Sequence, residues 1–193
     1  MFFEIKKQLA FMLMKGCLHT HTTCSDGKLT PQEVVNAYES RGYDFIAFTD
    51  HDYLLKPNYR EIYGQVKTDM IIFHGIELTV YIQGYVHVGM IEGVKETLHI
   101  FNHIGEYDLT PDRVLERLAD LEQMYPLDAV EITTKGFRDT VLESLNIRYP
   151  KIASDDAHTL LGVGRAWIEL DAKREKDSIL MAVKQGEFWN CYV

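Results

Sequence analysis

Gly16-Cys17-Leu18-His19-Thr20-His21-Thr22-Thr23-Cys24-Ser25-Asp26-Gly27 is a short apolar run that ends in a histidine pair and then a turn. In an extended strand residues i and i+2 share a face, so His19 and His21 can aim both imidazoles at one ion. The same arrangement returns along the chain. Phe48-Thr49-Asp50-His51-Asp52, Gly75-Ile76-Glu77, His87, His103, Glu131 and Ser154-Asp155-Asp156-Ala157-His158 each fall at or just beyond an apolar run that reads as a strand. Ligands carried on successive strand ends converge when the strands form a barrel.

Working outward, strands are predicted near 16–19, 45–49, 70–77, 99–102, 129–132, 152–154 and 166–170, which makes seven. Helices alternate with them. Thr30-Pro31-Gln32-Glu33 offers an N-cap threonine, a proline at the first helical position and a glutamate to close a capping box ahead of Val34, Val35 and Tyr38. Thr110-Pro111-Asp112 repeats the device ahead of Val114, Leu115, Leu118 and Leu121, with Leu118 and Leu121 facing a sheet. Two more helices are expected at 138–147 and 175–185. Alternating strands and helices favour an α/β barrel over a sandwich. The chain shows no internal repeat, low-complexity tract or Gly/Ser linker.

With 193 residues, 46% of them hydrophobic, the chain can bury one sizeable core and is short for two independent domains. A formal net charge of −9 argues against a surface built to hold a polyanion, although bound cations would make a pocket locally positive. Cys17, Cys24 and Cys191 form no disulfide framework and suit a reducing compartment, so a cytoplasmic location is expected. Residues 1–13 read as an N-terminal extension ahead of one domain at 14–193, with Met14 as an alternative start. Charges interrupt the apolar stretch 2–12, which excludes a membrane span, and a small-residue cleavage site is lacking. An amphipathic helix docking on the barrel is expected there, with a membrane or partner helix as the alternative.

The chain resembles the polymerase and histidinol phosphatase (PHP) family of metal-dependent phosphoesterases nearly end to end. The family's opening motif is similar to 14–27, its second to 48–52, its third to 75–79 and its last to 154–158. Val86-His87-Val88-Gly89 resembles its histidine after the glutamate hairpin, Phe101-Asn102-His103 its strand-end histidine, and Gly186-Glu187-Phe188-Trp189 its closing strand. A single short motif is weak, but these pieces follow one another in order. The resemblance implies a distorted seven-stranded, TIM-like (β/α) barrel.

It also implies a trinuclear site. By resemblance His19, His21, Glu77 and Asp156 hold one divalent ion, Glu77 bridges to a second held by His87 and His103, and Asp26, His51 and His158 hold a third. Imidazole suits Zn, Mn or Fe and carboxylates also admit Mg, so two or three divalent ions are expected without their identity. The reaction implied is hydrolysis of a small phosphate ester by a metal-bridging hydroxide, with Glu77, Asp26 and Glu131 as catalytic candidates. Glu131 ends a strand and is read as ligand or base. Lys135, Arg138 and Arg165 are candidates for holding substrate phosphate.

The remaining polar residues have plainer readings. Asp50, Asp52 and Asp155 either orient imidazoles or cap turns. His74 and His99 match no motif and read as hydrogen-bonding core or surface residues. Cys17 stands where the family often has aspartate, Cys24 reads as a small buried thiol, and Glu106 stands where relatives often carry a base. Residues 88–102 and 132–153 leave no room for a large cap domain. A small phosphorylated substrate is therefore expected, and neither nucleic acid nor a membrane; the oligomeric state is left open. Two other classes stand beside this one: a nuclease acting on nucleic-acid ends, and a non-catalytic metal-binding module.

Overall fold

Apolar runs pair side by side in the computed structural model, in which residues 12–193 are described. The chain runs β1 (Met12–Cys17), α1 (Pro31–Glu39), β2 (Phe45–Phe48), α2 (Tyr59–Gly64), β3 (Ile71–Tyr81), β4 (Tyr85–Glu92), β5 (Thr97–Phe101) and α3 (Pro111–Leu121). It continues through β6 (Ala129–Glu131), β7 (Thr133–Thr134), β8 (Phe137–Arg138), α4 (Thr140–Ser144), β9 (Lys151–Ile152), β10 (Ala166–Ala172), α5 (Lys176–Gln185) and β11 (Trp189–Tyr192). Single 3-10 turns lie at Asp52–Leu54 and Ile104–Tyr107. The helix expected within 2–12 falls outside the described residues, apart from Met12, which opens β1 by pairing with Ala172.

Nine strands join one sheet in the order β11-β10-β1-β2-β3-β4-β5-β6-β9, and β7 and β8 form a separate hairpin. The seven-stranded barrel expected from the sequence is therefore corrected to a mixed, nearly closed barrel of nine strands. The additions are β4 and β11. β3 does not hand over to a helix after Glu77 but runs on to Tyr81 and turns back through Gln83 (φ 50°) and Gly84 (φ 126°), a tight reversal that needs no crossover helix. β4 thus lies antiparallel between β3 and β5, while β1–β2–β3 and β5–β6–β9 stay parallel.

A side chain closes the seam. Asn190 on β11 donates from Nδ2 to the Lys151 carbonyl (2.7 Å) and accepts at Oδ1 from the Ala153 N–H (2.8 Å), so its amide stands in for a peptide between the two edge strands. Asn190→Leu should cost about 1–3 kcal/mol by orphaning that donor and acceptor. A urea titration showing an unchanged midpoint would contradict this closure.

Met14, Phe45, Phe73, Ile91, Ile100, Ile152 and Ile168 come from seven strands into one core cluster, joined by Ile179, Leu180 and Val183 of α5. Gly16 lets the Phe45 ring lie against the β1 backbone, since a Cβ there would stand 2.1 Å from the ring. A second cluster packs α3 through Val114, Leu118 and Leu121 against the outer face of the β3–β4 hairpin. The third places α1 on β1 and β2.

The α1 capping box forms as expected, with Thr30 and Glu33 exchanging side-chain bonds to backbone N–H groups. Thr110 takes the N-cap position of α3 without a side-chain bond; the third helical residue there is Arg113, which cannot complete the box. The helix expected at 138–147 shortens to α4 because Phe137–Arg138 pair as β8, and Asp139 caps it through the Val141 and Leu142 N–H groups. No described helix is long and apolar enough to cross a membrane.

Candidate metal centre

β1 delivers its histidines just past its last paired residue. His19 and His21 are both buried, with Nε2 atoms 3.0 Å apart. His19 Nδ1–H donates to Glu131 Oε2 (2.8 Å), which fixes the tautomer and turns the Nε2 lone pair inward. Two such nitrogens facing one another are stable only around a cation or a shared proton. Asp156 Oδ1 completes the corner, 3.4 Å from His19 Nε2 and 3.2 Å from His21 Nε2.

Glu77 lies at the centre, fully buried on β3. Its Oε1 is 3.0 Å from His103 Nε2, 3.3 Å from His19 Nε2 and 3.4 Å from His87 Nδ1; its Oε2 is 2.9 Å from His51 Nδ1 and 3.4 Å from His21 Nε2. Asn102 Nδ2 donates to Oε1 (2.8 Å) and orients the carboxylate. Asp26 stands at the outer edge, 3.4 Å from His158 Nε2, 3.8 Å from His51 Nε2 and 3.6 Å from His21 Nδ1. The His158 Nδ1–H donates to the Asp156 carbonyl (3.0 Å), leaving Nε2 free to face Asp26.

Together these residues make four overlapping clusters of metal-ligand type: His21, Asp26, His51 and His158; His19, His21 and Asp156; His19, Glu77 and His103; and His51, Glu77 and His87. All nine ligand candidates from the sequence are brought to one place, and among the described residues no other enters any cluster. Glu77 Oε2, Asp156 Oδ1, His51 Nδ1, His21 Nδ1 and His103 Nδ1 are buried without a hydrogen-bond partner. Buried polar atoms normally find one. The His51–Glu77 approach is close but lacks hydrogen-bond geometry, so orphaned lone pairs converging from several elements fit cations held between them. Imidazole with carboxylate is a donor set for Zn, Mn or Fe.

Electrostatics point the same way. Burial alone would lower His19 and His21, but Glu131, Glu77 and Asp156 outweigh it for His19, and Asp156 and Glu77 push His21 up to about 9. Burial would raise Glu77 and Asp156, yet the neighbouring imidazoles hold both carboxylates below their usual range. Without metal, protons on the imidazoles offset the buried negative charge. Because ligation needs the lone pair, ion uptake at pH 7.5 must expel protons, and metal affinity should rise with pH until about 9. Calorimetry in two buffers of different ionisation enthalpy should report release of about one proton or more per chain. Identical heats in both buffers would contradict it.

Two ligand candidates sit in backbone conformations that L-residues seldom adopt: His103 at φ 29° and Asp156 at φ 45°. Each costs on the order of 1–3 kcal/mol, strain that is typical of functional sites.

Other candidates fall elsewhere. Glu131 was read as ligand or base, but it is buried behind His19, accepting from His19, from the His103 N–H (3.1 Å) and from Thr133 Oγ1 (3.3 Å). It orients the His19 ring and joins no cluster among the described residues. Arg138 was read as a phosphate binder, but its guanidinium is paired at 2.8 Å twice with Glu143 and lies over the Tyr192 ring. Lys135 and Arg165 do line the mouth, around a cavity of about 380 Å³ with Asp26, Asp156 and His158. A smaller cavity of about 160 Å³ adjoins it over Glu77, His87 and His103, sharing Lys135. Glu106 lies 3.5 Å from Lys135 and 3.6 Å from His103.

The flanking aspartates support the site without touching imidazoles. Asp50 accepts from the Thr22 and Ser25 backbone N–H groups, from both their hydroxyls and from Tyr63, and so shapes the loop that carries Asp26. Asp52 accepts from Thr79 (2.9 Å). Asp155 is buried and accepts from Tyr38 (2.6 Å), from the Cys17 thiol (3.3 Å) and from the Gly164 N–H (2.6 Å). A carboxylate from the 154–158 turn therefore meets the Cys17 thiol. The sequence could have revealed neither Tyr38 nor Tyr63 as partners, since each is an apolar-face residue of its helix.

Three comparisons bear on this geometry. The family model described as PHP domain matches residues 18–149, and one described as PHP-associated matches 145–188. Among solved structures, a two-domain protein containing a predicted PHP-like metal-dependent phosphoesterase from Bacteroides vulgatus ATCC 8482 is similar over 94% of this chain and 65% of its own, at 20% identity and a TM-score of 0.70. An amidohydrolase from Chromobacterium violaceum is similar over 75% of this chain and 87% of its own, at 15% identity and a TM-score of 0.60. Among curated proteins, DNA polymerase/3'-5' exonuclease PolX of Bacillus subtilis (strain 168) is 44% identical over 43 residues, 22% of this chain and 8% of that protein.

Proposed function

The chain belongs to the PHP domain family, and on that premise we propose that it is a hydrolase that cleaves small phosphate esters with two or three bound divalent ions. The observation that carries this is the convergence of Glu77 with His19, His21, His51, His87 and His103, each within 3.4 Å of its carboxylate. His19, His21, Glu77 and Asp156 would hold one ion, Glu77 with His87 and His103 a second, and Asp26, His51 and His158 a third. Such ions supply an activated water and Lewis-acid polarisation of phosphoryl oxygens when bound.

The protein's own groups do the rest. Glu131 and the Asp156 carbonyl hold His19 and His158 in the tautomers that present Nε2. Lys135 and Arg165, on the flank of the larger cavity, supply positive charge to a phosphate seated beside Asp26 and His158. Asp50 keeps the Asp26 loop in place through its backbone bonds. Three free cysteines support a reducing compartment such as the cytoplasm. We take residues 14–193 as a single phosphoesterase unit.

A nuclease is the second reading, favoured by the short PolX match. A panel of phosphomonoesters and diesters offered to protein reconstituted with Mn, Fe or Zn separates the two. Monoester turnover that varies little with salt supports the small-substrate reading. Cleavage of oligonucleotide ends that falls steeply with salt supports the nuclease, and no turnover with any ester leaves only a metal-binding module.

A further inference from the structure

Thr133-Thr134-Lys135-Gly136-Phe137-Arg138 folds back on itself as β7 and β8, with Thr133 opposite Arg138 and Thr134 opposite Phe137. The two residues between them are left-handed, Lys135 at φ 50° and Gly136 at φ 80°, as in hairpin turns whose twist matches the strands they join. The hairpin is anchored at its base. Thr133 Oγ1 accepts from the Ser154 N–H (3.0 Å), and Arg138 is held by Glu143. Its tip therefore has a fixed place at the mouth, where Lys135 lines both cavities.

Arg165 lies across that tip. A Cβ on Gly136 would stand 2.5 Å from Arg165 Cβ and 3.2 Å from its Cδ, so the arginine stem rests on turn backbone that glycine leaves open. Its Nη1 donates to the Lys135 carbonyl (3.3 Å), and its guanidinium carbon is 4.9 Å from the centre of the Phe137 ring. The backbone is held too. The Arg165 carbonyl accepts from the Val193 N–H (3.0 Å), and the Gly164 N–H donates to Asp155 (2.6 Å).

Arg60, Arg113, Arg138, Arg148 and Arg174 each pair with a carboxylate. Among the described residues Arg165 pairs with none, although Asp26, Asp155 and Asp156 line the same cavity. In a chain of net charge −9, an unrestrained arginine beside three carboxylates would fold onto one of them. The hairpin offers the guanidinium a ring face and a carbonyl instead, and most of its N–H donors keep no protein partner. Phe137 has little other work: it is 63% exposed and belongs to none of the three core clusters.

We propose that Phe137 is a positioning residue for Arg165: the β7–β8 tip keeps the guanidinium off the site's own carboxylates and leaves its free N–H donors to the substrate's phosphate. The proposal rests on the phosphoesterase reading above, in which Arg165 meets that phosphate. Laying the side chain on a ring beforehand also lowers the rotamer entropy lost when the anion arrives.

The test is a double-mutant cycle on the metal-reconstituted protein, read as KM and kcat for the best monoester of the panel above and as the calorimetric affinity of inorganic phosphate. Phe137→Ala should raise KM and weaken phosphate binding by about two- to fivefold, the scale of an exposed cation–π contact, with kcat changing less than KM. Phe137→Leu, which keeps bulk but no π-face, should match it, and Phe137→Tyr should recover the parent's KM. Arg165→Ala should cost about tenfold or more, and adding Phe137→Ala to it should cost nothing further. Unchanged KM and phosphate affinity in Phe137→Ala overturn the proposal, as does a parent-like Phe137→Leu. An equal loss with and without Arg165 also overturns it, because Phe137 then acts through the hairpin's stability. If no ester is hydrolysed, the phosphoesterase reading fails on its own. The phosphate affinities then decide: the same cycle supports the proposal, and a parent that binds no phosphate overturns it.

Discussion

Glu77→Gln is expected to strip the protein of most of its bound metal and to abolish measurable phosphoesterase activity. The carboxylate is buried and approached by five imidazoles between 2.9 and 3.4 Å. The amide keeps the shape and the bond from Asn102, but it loses the charge that lets one group serve two cations. Breaking a buried charge partnership costs about 3–5 kcal/mol, or roughly 10²–10⁴-fold in apparent metal affinity. His74→Ala is the control, since His74 joins no ligand cluster and packs against the Tyr63 ring. Equal metal contents in the two variants after extensive dialysis would contradict the role assigned to Glu77.

The second large effect is expected at Asp26, where Asp26→Asn should lower turnover by about 10²–10³-fold, the scale of losing one preorganised electrostatic group. Its carboxylate faces His21, His51 and His158 at the mouth and is only half-buried. Its one bond to the surrounding loop is from Ser25 Oγ (3.2 Å), while Asp50 holds that loop independently. The fold should therefore survive, with the melting temperature moving by less than the roughly 2–4 °C that 1 kcal/mol produces in a chain of this size. A purely structural ion would behave in the opposite way, because its binding is folding free energy. Melting temperature and ester hydrolysis measured on one preparation decide between them, and a variant that unfolds early from a parent without activity would sink the enzymatic reading.

The cluster of ligand candidates was legible because residue types suited to a metal are written into local sequence. His19 and His21 share a strand face, and Asp156 and His158 share a turn. What the sequence hid was non-local. Glu131 carries the right chemistry at a strand end, yet its direction depends on where His19 lies across the barrel, and there it becomes a hydrogen-bond acceptor for the ligands. Arg138 looked available until β8 brought it beside Glu143. The strand count failed for a related reason. β4 carries apolar residues toward both the barrel and α3, and it follows a three-residue turn instead of a helix. The Asn190 closure of the seam is a pairing between distant edges that periodicity cannot reveal.

The central claim is that one pocket of nine ligands holds a multinuclear centre, and elemental analysis tests it most directly. Protein stripped with chelator, reconstituted in turn with Mn, Fe and Zn and freed of excess metal should retain two or three ions per chain, because four overlapping clusters exceed what one ion can coordinate. A ratio of one ion per chain or fewer with all three metals would contradict it.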